Sequence, residues 1–188
     1  MNAIVLVRHA ETDLAGKFCG RSDPGLSMAG ERQLPFLVEE LAALEIGHVY
    51  SSDLRRASQT ATAIGARIRV AVEFRPGLRE IDFGEWEGLS WAEVEQKYPV
   101  EAQLWVSAFR TRSAPGGESY QDFIARVEAE FKQLLLENET TPSAVVTHRG
   151  VIAYALTRYF GFSEPDAWRR TENYGAIVVG TPIERALG

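Results

Sequence analysis

The pattern of apolar positions along the chain predicts short buried strands that alternate with amphipathic helices. Residues 3–7 form a continuous apolar run rich in β-branched side chains, which is typical of a strand covered on both faces of a sheet. Shorter runs of the same character predict four further strands, at residues 49–50, 70–74, 143–147 and 176–179.

The segments between these runs show the period of helices. Phe123, Val127 and Phe131, followed by Leu134 or Leu135, fall on one face of a helix. Pro35 lies inside the first helical segment and is expected to kink or split it, because proline lacks the backbone N–H that the helix uses. The predicted helices cover residues 27–44, 54–66, 119–136 and 150–160.

Strands that alternate with helices favour an α/β fold in which helices cover both faces of a largely parallel sheet. The chain has 188 residues, a length typical of one domain, and it contains no internal repeat or linker. We therefore expect a single domain over residues 1–188, built as a three-layer α/β/α sandwich.

Charge and cysteine content narrow the range of functions. The formal net charge of −6 and the lack of a basic stripe argue against a nucleic-acid partner. Cys19 is the only cysteine, so neither an intrachain disulfide nor a cysteine-based metal cluster can form. The first apolar run is too short for a signal peptide or a membrane span. These features predict a cytoplasmic protein with no membrane partner; the sequence does not indicate an oligomeric state, and a homodimer stays open.

Three of the predicted strands end in polar residues of related chemistry. Arg8-His9 follows the first strand, Ser51-Ser52-Asp53 follows the second, with Arg55 one turn further on, and His148-Arg149 follows the fourth. Ligands of such sheets bind beyond the carboxyl ends of the strands, so these residues are expected to meet at one edge. Arginine side chains and helix N-termini favour phosphate at that edge.

Four ordered segments resemble the histidine phosphatase superfamily, which includes the phosphoglycerate mutases. The first resembles the family's Arg-His-Gly-Glu-Thr signature, the second its other phosphate-binding segment, the third its acid-bearing segment and the fourth its second-histidine segment. They read RHAET at 8–12, SSDLRRASQTA at 51–61, LREIDFGEWEG at 78–88 and VTH at 146–148. The resemblance implies the phosphoglycerate mutase-like fold.

The resemblance also implies catalytic roles. His9 would be the nucleophile that forms a phosphohistidine, and Glu80 would protonate the leaving oxygen. Arg8, Arg55 and His148 would bind the non-bridging oxygens of the phosphoryl group. We expect Arg56 to face solvent on its helix, and we expect no metal and no cofactor. A cysteine phosphatase is excluded because the position six residues after Cys19, where its loop needs arginine, holds glycine.

Substrate contacts are harder to assign from the sequence. Thr12, Arg21, Ser22 and Arg149 are candidates, and residues 85–118 are expected to form a partial lid with two short helices. The chain departs from the family pattern at Ala10, Ala15, Arg149 and Ala153. The acid segment and the run Pro115 to Ser119 are similar to the phosphatase branch and its α-ribazole phosphatases.

We therefore expect hydrolysis of a small phosphorylated metabolite, with α-ribazole 5′-phosphate or a sugar phosphate as the leading candidates. Two alternatives remain open: phosphoryl transfer of the phosphoglycerate mutase type, and a regulatory module that binds phosphate without catalysis.

Overall fold

The computed structural model describes residues 2–137 and 141–183. The prediction of one domain over residues 1–188 therefore includes residues 1, 138–140 and 184–188, which lie outside the described residues. The predicted strands are confirmed, with small shifts at their ends, as β1 (Ile4–Arg8), β2 (His48–Ser51), β3 (Val72–Phe74), β4 (Ser143–Thr147) and β5 (Ile177–Gly180).

The five strands form one mixed sheet in the order β3-β2-β4-β1-β5. Neighbours among the first four are parallel, whereas β5 runs antiparallel to β1 at the edge. Arg8 of β1 pairs with Thr147 of β4, and Ser51 of β2 pairs with Val146. This register brings the residues that follow β1, β2 and β4 to the same edge of the sheet.

Helices cover both faces of this sheet, as the alternation of elements predicts. Along β1, Val5 and Val7 point to one face, towards α1 and α2, whereas Ile4 and Leu6 point to the other, towards α5 and α6. The expected three-layer α/β/α fold is confirmed. The helices are α1 (Met28–Ala42), α2 (Arg55–Ile68), α3 (Trp91–Lys97), α4 (Pro99–Ala108), α5 (Tyr120–Glu137), α6 (Arg149–Tyr159) and α7 (Glu164–Arg170).

Helix α1 runs through Pro35 as one element, so of the two predicted effects, a kink or a split, the split does not occur. Proline removes only one hydrogen bond of the helix. Leu37 and Leu41, which follow Pro35, are buried against the sheet and hold the second half of the helix in place. Across residues 2–137 and 141–183, no helix combines the length and the apolar content that crossing a bilayer would demand.

A separate aromatic cluster lies in the segment 85–118, which contains α3 and α4. Trp86 is fully buried there together with Val94 and Ala102, and Trp91 and Trp105 pack against them. The rings of Trp86, Trp91 and Trp105 also contact one another. The cluster gives α3 and α4 a small core of their own, next to the edge of the sheet where the strands end.

Candidate active site

Two histidines that are far apart in sequence meet at the carboxyl edge of the sheet. His9 follows β1 and His148 follows β4, and the centroids of their rings are 5.1 Å apart. Both side chains are buried, and Nε2 of His148 lies 2.8 Å from Oγ of Ser52, the residue after β2. The predicted meeting of the three strand ends is therefore observed.

The hydrogen bonds of His9 fix its tautomer. Its Nδ1 lies 2.7 Å from the carbonyl oxygen of Ala10, which can only accept, so Nδ1 carries the proton. The other ring nitrogen, Nε2, then holds a lone pair, and it accepts a hydrogen bond of 3.2 Å from Nε of Arg56. An imidazole in this tautomer presents Nε2 as the nucleophilic atom.

Both histidines are neutral in the free protein. Burial, followed by the positive charge of Arg56, lowers the pKa of His9 well below its ordinary value. Burial and then Arg56 also lower the pKa of His148, with a further contribution from His9. A neutral ring is the form that a nucleophilic histidine requires, because protonation would occupy the lone pair on Nε2.

The two rings are therefore expected to keep their neutral NMR signals as the pH falls through about 6.5, the ordinary pKa of histidine. The unfolded chain takes up these protons at that pH and the folded chain does not, so folding stability should fall as the pH drops further. A 15N NMR titration of the His9 and His148 rings checks that they stay neutral in this range of pH. A midpoint at or above 6.5 for His9 would contradict it.

Arg56, and not Arg55, is the arginine that reaches the histidines. Arg56 is fully buried, and besides His9 its guanidinium bonds the carbonyl oxygens of Cys19, Gly20 and Ser22 at 2.7–3.0 Å. Arg55 is exposed. The prediction that Arg56 faces solvent is therefore wrong. The exposure of Arg55 does not support the predicted contact with the phosphoryl group.

The periodicity of α2 contains the signal that would have identified Arg56. Arg56 lies four residues before the buried Thr60, whereas Arg55 lies four before the exposed Gln59. Residues four apart share a face of a helix, so only Arg56 belongs to the side that packs on the sheet. The other buried residues of that side are Ala57, Ala61, Ile64 and Gly65.

Arg8 is anchored to the segment before β5. Its Nη1 donates to the carbonyl oxygens of Thr171 and Glu172, and its guanidinium lies 4.0 Å from the centre of the Tyr174 ring. Its Nε is buried and has no hydrogen-bond partner among the described residues. Arg8 thus brings a positioned cation with an unused donor to the wall of the site.

Glu80 faces the same cavity as His9. Its carboxylate is buried and accepts hydrogen bonds from the backbone N–H groups of Gly150 (2.9 Å) and Ile81 (3.0 Å). These two bonds link the carboxylate to the first turn of α6 and to its own loop. A carboxyl group held in this way can exchange a proton with a ligand bound beside His9.

The four candidate substrate contacts divide into two pairs. Thr12 and Arg149 line the cavity, and Arg149 lies 5.1 Å from the centre of the Trp168 ring and donates to the Trp168 carbonyl oxygen. Arg21 and Ser22 are not among the residues that line it. Their backbone belongs to the loop that binds Arg56.

The cavity beside His9 has a volume of about 880 Å³, far more than a phosphoryl group needs. Aromatic side chains from several segments of the chain form much of its wall, among them Phe18, Trp91, Trp105, Phe109, Tyr120, Phe123 and Trp168. Within the part of the chain that the structure describes, no group of three or more His, Cys, Asp or Glu side chains is arranged to hold a metal ion.

Comparison with known proteins agrees with this geometry. A family model described as the histidine phosphatase superfamily (branch 1) matches residues 4–184. Phosphoserine phosphatase 1 from Hydrogenobacter thermophilus is 33% identical over 150 residues, which cover 79% of this chain and 71% of that protein. Glucosyl-3-phosphoglycerate phosphatase from Mycobacterium tuberculosis is 31% identical over 160 residues, covering 80% and 71%.

The fold is also similar to solved structures. The α-ribazole phosphatase from Shigella flexneri superposes with a TM-score of 0.85 at 25% identity, over 95% of this chain and 89% of that one. The chain spans only 40% of the length of three further mycobacterial relatives that are 34% identical to it. The three proteins named above are each called a phosphatase, with different substrates in their names.

Proposed function

The chain belongs to the histidine phosphatase superfamily, branch 1, and from this membership we propose that it hydrolyses a phosphomonoester through a phosphohistidine on His9. One observation carries the proposal: a buried, neutral His9 whose Nε2 lone pair meets Arg56, in a cavity shared with Glu80. The phosphatases among its relatives support hydrolysis of a small phosphorylated metabolite.

In the first step, Nε2 of His9 attacks phosphorus and the bond to the ester oxygen breaks. The carboxyl group of Glu80 gives its proton to that oxygen, and the alcohol leaves. Before the attack, a non-bridging oxygen takes over the N–H of Arg56 that now binds Nε2, which frees the lone pair. Arg56 therefore serves both to orient the ring and to bind the phosphoryl group.

In the second step, water attacks the phosphohistidine from the side that the alcohol has left. The Glu80 carboxylate accepts a proton from this water, the N–P bond breaks, and inorganic phosphate leaves. His9 returns to its neutral form and Glu80 to its protonated form, so the cycle closes. General acid and base catalysis of this kind typically contributes about 10²–10⁴ to the rate.

Fixed donors of this chain offset the charge of the transition state. Arg8 and Arg56 are held in place before substrate arrives. In the tautomer of His148 whose Nε2 accepts from the Ser52 hydroxyl, the buried Nδ1 carries the proton and donates to the phosphoryl group. Preorganised donors need little rearrangement as charge develops, which makes them effective. We propose that these groups take the part that a metal ion plays in metallophosphatases, and that catalysis is independent of metal.

The size and the walls of the cavity favour a bulky leaving group. A volume of about 880 Å³ with many aromatic side chains exceeds the needs of phosphoserine or phosphoglycerate. α-Ribazole 5′-phosphate is the leading candidate, followed by sugar phosphates. Thr12 and Arg149 would contact the substrate, and residues 85–118 would act as a partial lid that excludes water.

Neighbouring arginines of α2 provide a matched test of the phosphate site. Arg56→Ala is expected to lower kcat/KM by about 10²-fold, the scale of losing one preorganised donor to the transition state. Arg55→Ala should stay within about threefold of the wild type, because exposed positions away from the site contribute little. Steady-state assays measure kcat/KM for both variants. Equal losses of kcat/KM would contradict the assignment of Arg56 to the phosphate site.

Turnover of p-nitrophenyl phosphate in the presence of a chelator tests the proposal as a whole. Phosphate release that is unchanged by EDTA supports a metal-independent phosphatase. Absence of turnover with this and other esters would favour a binding module. With 3-phosphoglycerate, transfer of the phosphoryl group to the 2-position, in place of its release, would favour a mutase.

A further inference from the structure

Glu87 lies outside the cavity, and both oxygens of its carboxylate accept hydrogen bonds from the loop of residues 20–22. It accepts hydrogen bonds from three consecutive backbone N–H groups, those of Gly20 (3.0 Å), Arg21 (2.8 Å) and Ser22 (3.1 Å). A fourth comes from the N–H of Phe83, at 3.1 Å. One anion thus fixes the course of residues 20–22.

The carbonyl groups of the same loop bind Arg56. Cys19, Gly20 and Ser22 accept its Nη hydrogens at 3.0, 2.8 and 2.7 Å. The loop is therefore held between a carboxylate on its N–H side and a guanidinium on its carbonyl side. Three Nη hydrogens hold the guanidinium on the loop, and its Nε–H is directed at Nε2 of His9.

We propose that Glu87 is a positioning residue of the active site, which sets the place of Arg56, and through it His9, by fixing the loop 20–22. This inference rests on the proposed function, since it takes His9 as the nucleophile. Glu87 is not among the residues that line the cavity, so its effect reaches the reaction through the loop. A displacement of a catalytic group by about 1 Å can lower a rate by about 10²-fold.

A substitution at Gly20 offers an independent way to disturb the loop that links Glu87 to Arg56. A Cβ at this position would collide with the carbonyl oxygen of Ile81 and with the Glu87 carboxylate. Backbone atoms cannot move away cheaply, so Gly20→Ala must displace the loop. It does so without removing the charge of Glu87 or the side chain of Arg56.

The test compares Glu87→Gln and Gly20→Ala with the wild type and with Glu95→Gln, a control at an exposed position on α3. Both loop variants are expected to lower kcat/KM for p-nitrophenyl phosphate about 10-fold to 100-fold. They should weaken inhibition by vanadate, a mimic of the transition state, by a similar factor. Glu87→Asp should recover part of the loss, and Glu95→Gln should have no effect.

A double-mutant cycle separates positioning from a general loss of stability. If Glu87 acts through Arg56, adding Glu87→Gln to Arg56→Lys should cost less than about threefold further activity. Full additivity of the two losses at a temperature where all variants are folded would overturn the inference. So would unchanged kcat/KM in folded Glu87→Gln.

A readout that does not need turnover distinguishes this inference from the proposed function. The 15N signals of the His9 ring report the hydrogen bond at Nε2, and they are expected to shift in Glu87→Gln and Gly20→Ala. If the wild type hydrolyses no ester while these signals shift, the proposed function fails and the positioning of His9 stands. Unshifted signals in an active enzyme would refute the positioning role.

Discussion

Replacing His9 with alanine is expected to abolish turnover, with a loss of roughly 10⁶-fold, the scale on which enzymes lose activity when their nucleophile is removed. The reason is chemical: in the proposed pathway the only bond that phosphorus forms in the first step is to Nε2 of His9. The arginines that bind the phosphoryl group stay in place, so His9→Ala should still bind vanadate or phosphate. Steady-state assays and binding measurements on the same preparation check both expectations.

His48→Ala is the matched control for this variant. His48 is exposed at the start of β2, at the end of the strand opposite to the active site. The activity of His48→Ala should therefore equal that of the wild type. Rapid quenching of the wild type with a 32P-labelled ester should also trap label on protein, as an adduct stable to alkali and labile to acid. Label on another side chain, or full activity in His9→Ala, would contradict the proposed nucleophile.

The parts of the structure that the sequence predicted well are those governed by local patterns. A strand such as β1 is apolar at every position because both faces of the sheet are covered, and that pattern is visible in residues 3–7. The position of His9 and His148 at one edge followed from parallel pairing alone. Helix α7 was not predicted, since its seven residues are too few to show a period.

The motif alone does not show which of the adjacent arginines, Arg55 or Arg56, turns towards the site. Both follow a strand end and both carry the charge that phosphate needs, but successive residues on a helix point about 100° apart. Only the buried face of α2 approaches His9. The four-residue spacing between Arg56 and Thr60 places both residues on that face. The period of the helix, in addition to the motif, therefore identifies Arg56 as the arginine that approaches His9.

The role of Glu87 and the walls of the cavity were beyond sequence reasoning for a different reason. Glu87 acts on residues 20–22, more than sixty positions away, through backbone N–H groups that any residue provides. No pattern of side chains marks such a contact. The cavity likewise combines residues from several distant segments, whose meeting depends on the packing of α3 and α4 beside the edge of the sheet.

Replacing Glu80 with glutamine is expected to slow hydrolysis by an amount that depends on the leaving group. An alkyl alcohol leaves with difficulty unless it is protonated, so a sugar phosphate should lose about 10²–10⁴ in kcat, the usual contribution of a general acid. A nitrophenolate leaves without a proton, so the first step with p-nitrophenyl phosphate should be affected far less.

The structure makes glutamine a suitable replacement at this position. Glutamine has nearly the same size, and its amide oxygen still accepts one of the two backbone hydrogen bonds, from Ile81 or Gly150; only the other, which would face the amide NH2, is lost. KM should therefore change little, and the loss should appear in kcat. Asp82→Asn is the appropriate comparison, because Asp82 also lines the cavity but its carboxylate bonds the N–H of Gly84. Because Glu80 also serves as the base of the second step, the comparison is made on kcat/KM, which reports the first step. Equal losses of kcat/KM for alkyl and aryl esters would show that Glu80 is not the proton donor, and full activity would direct the search to Asp82.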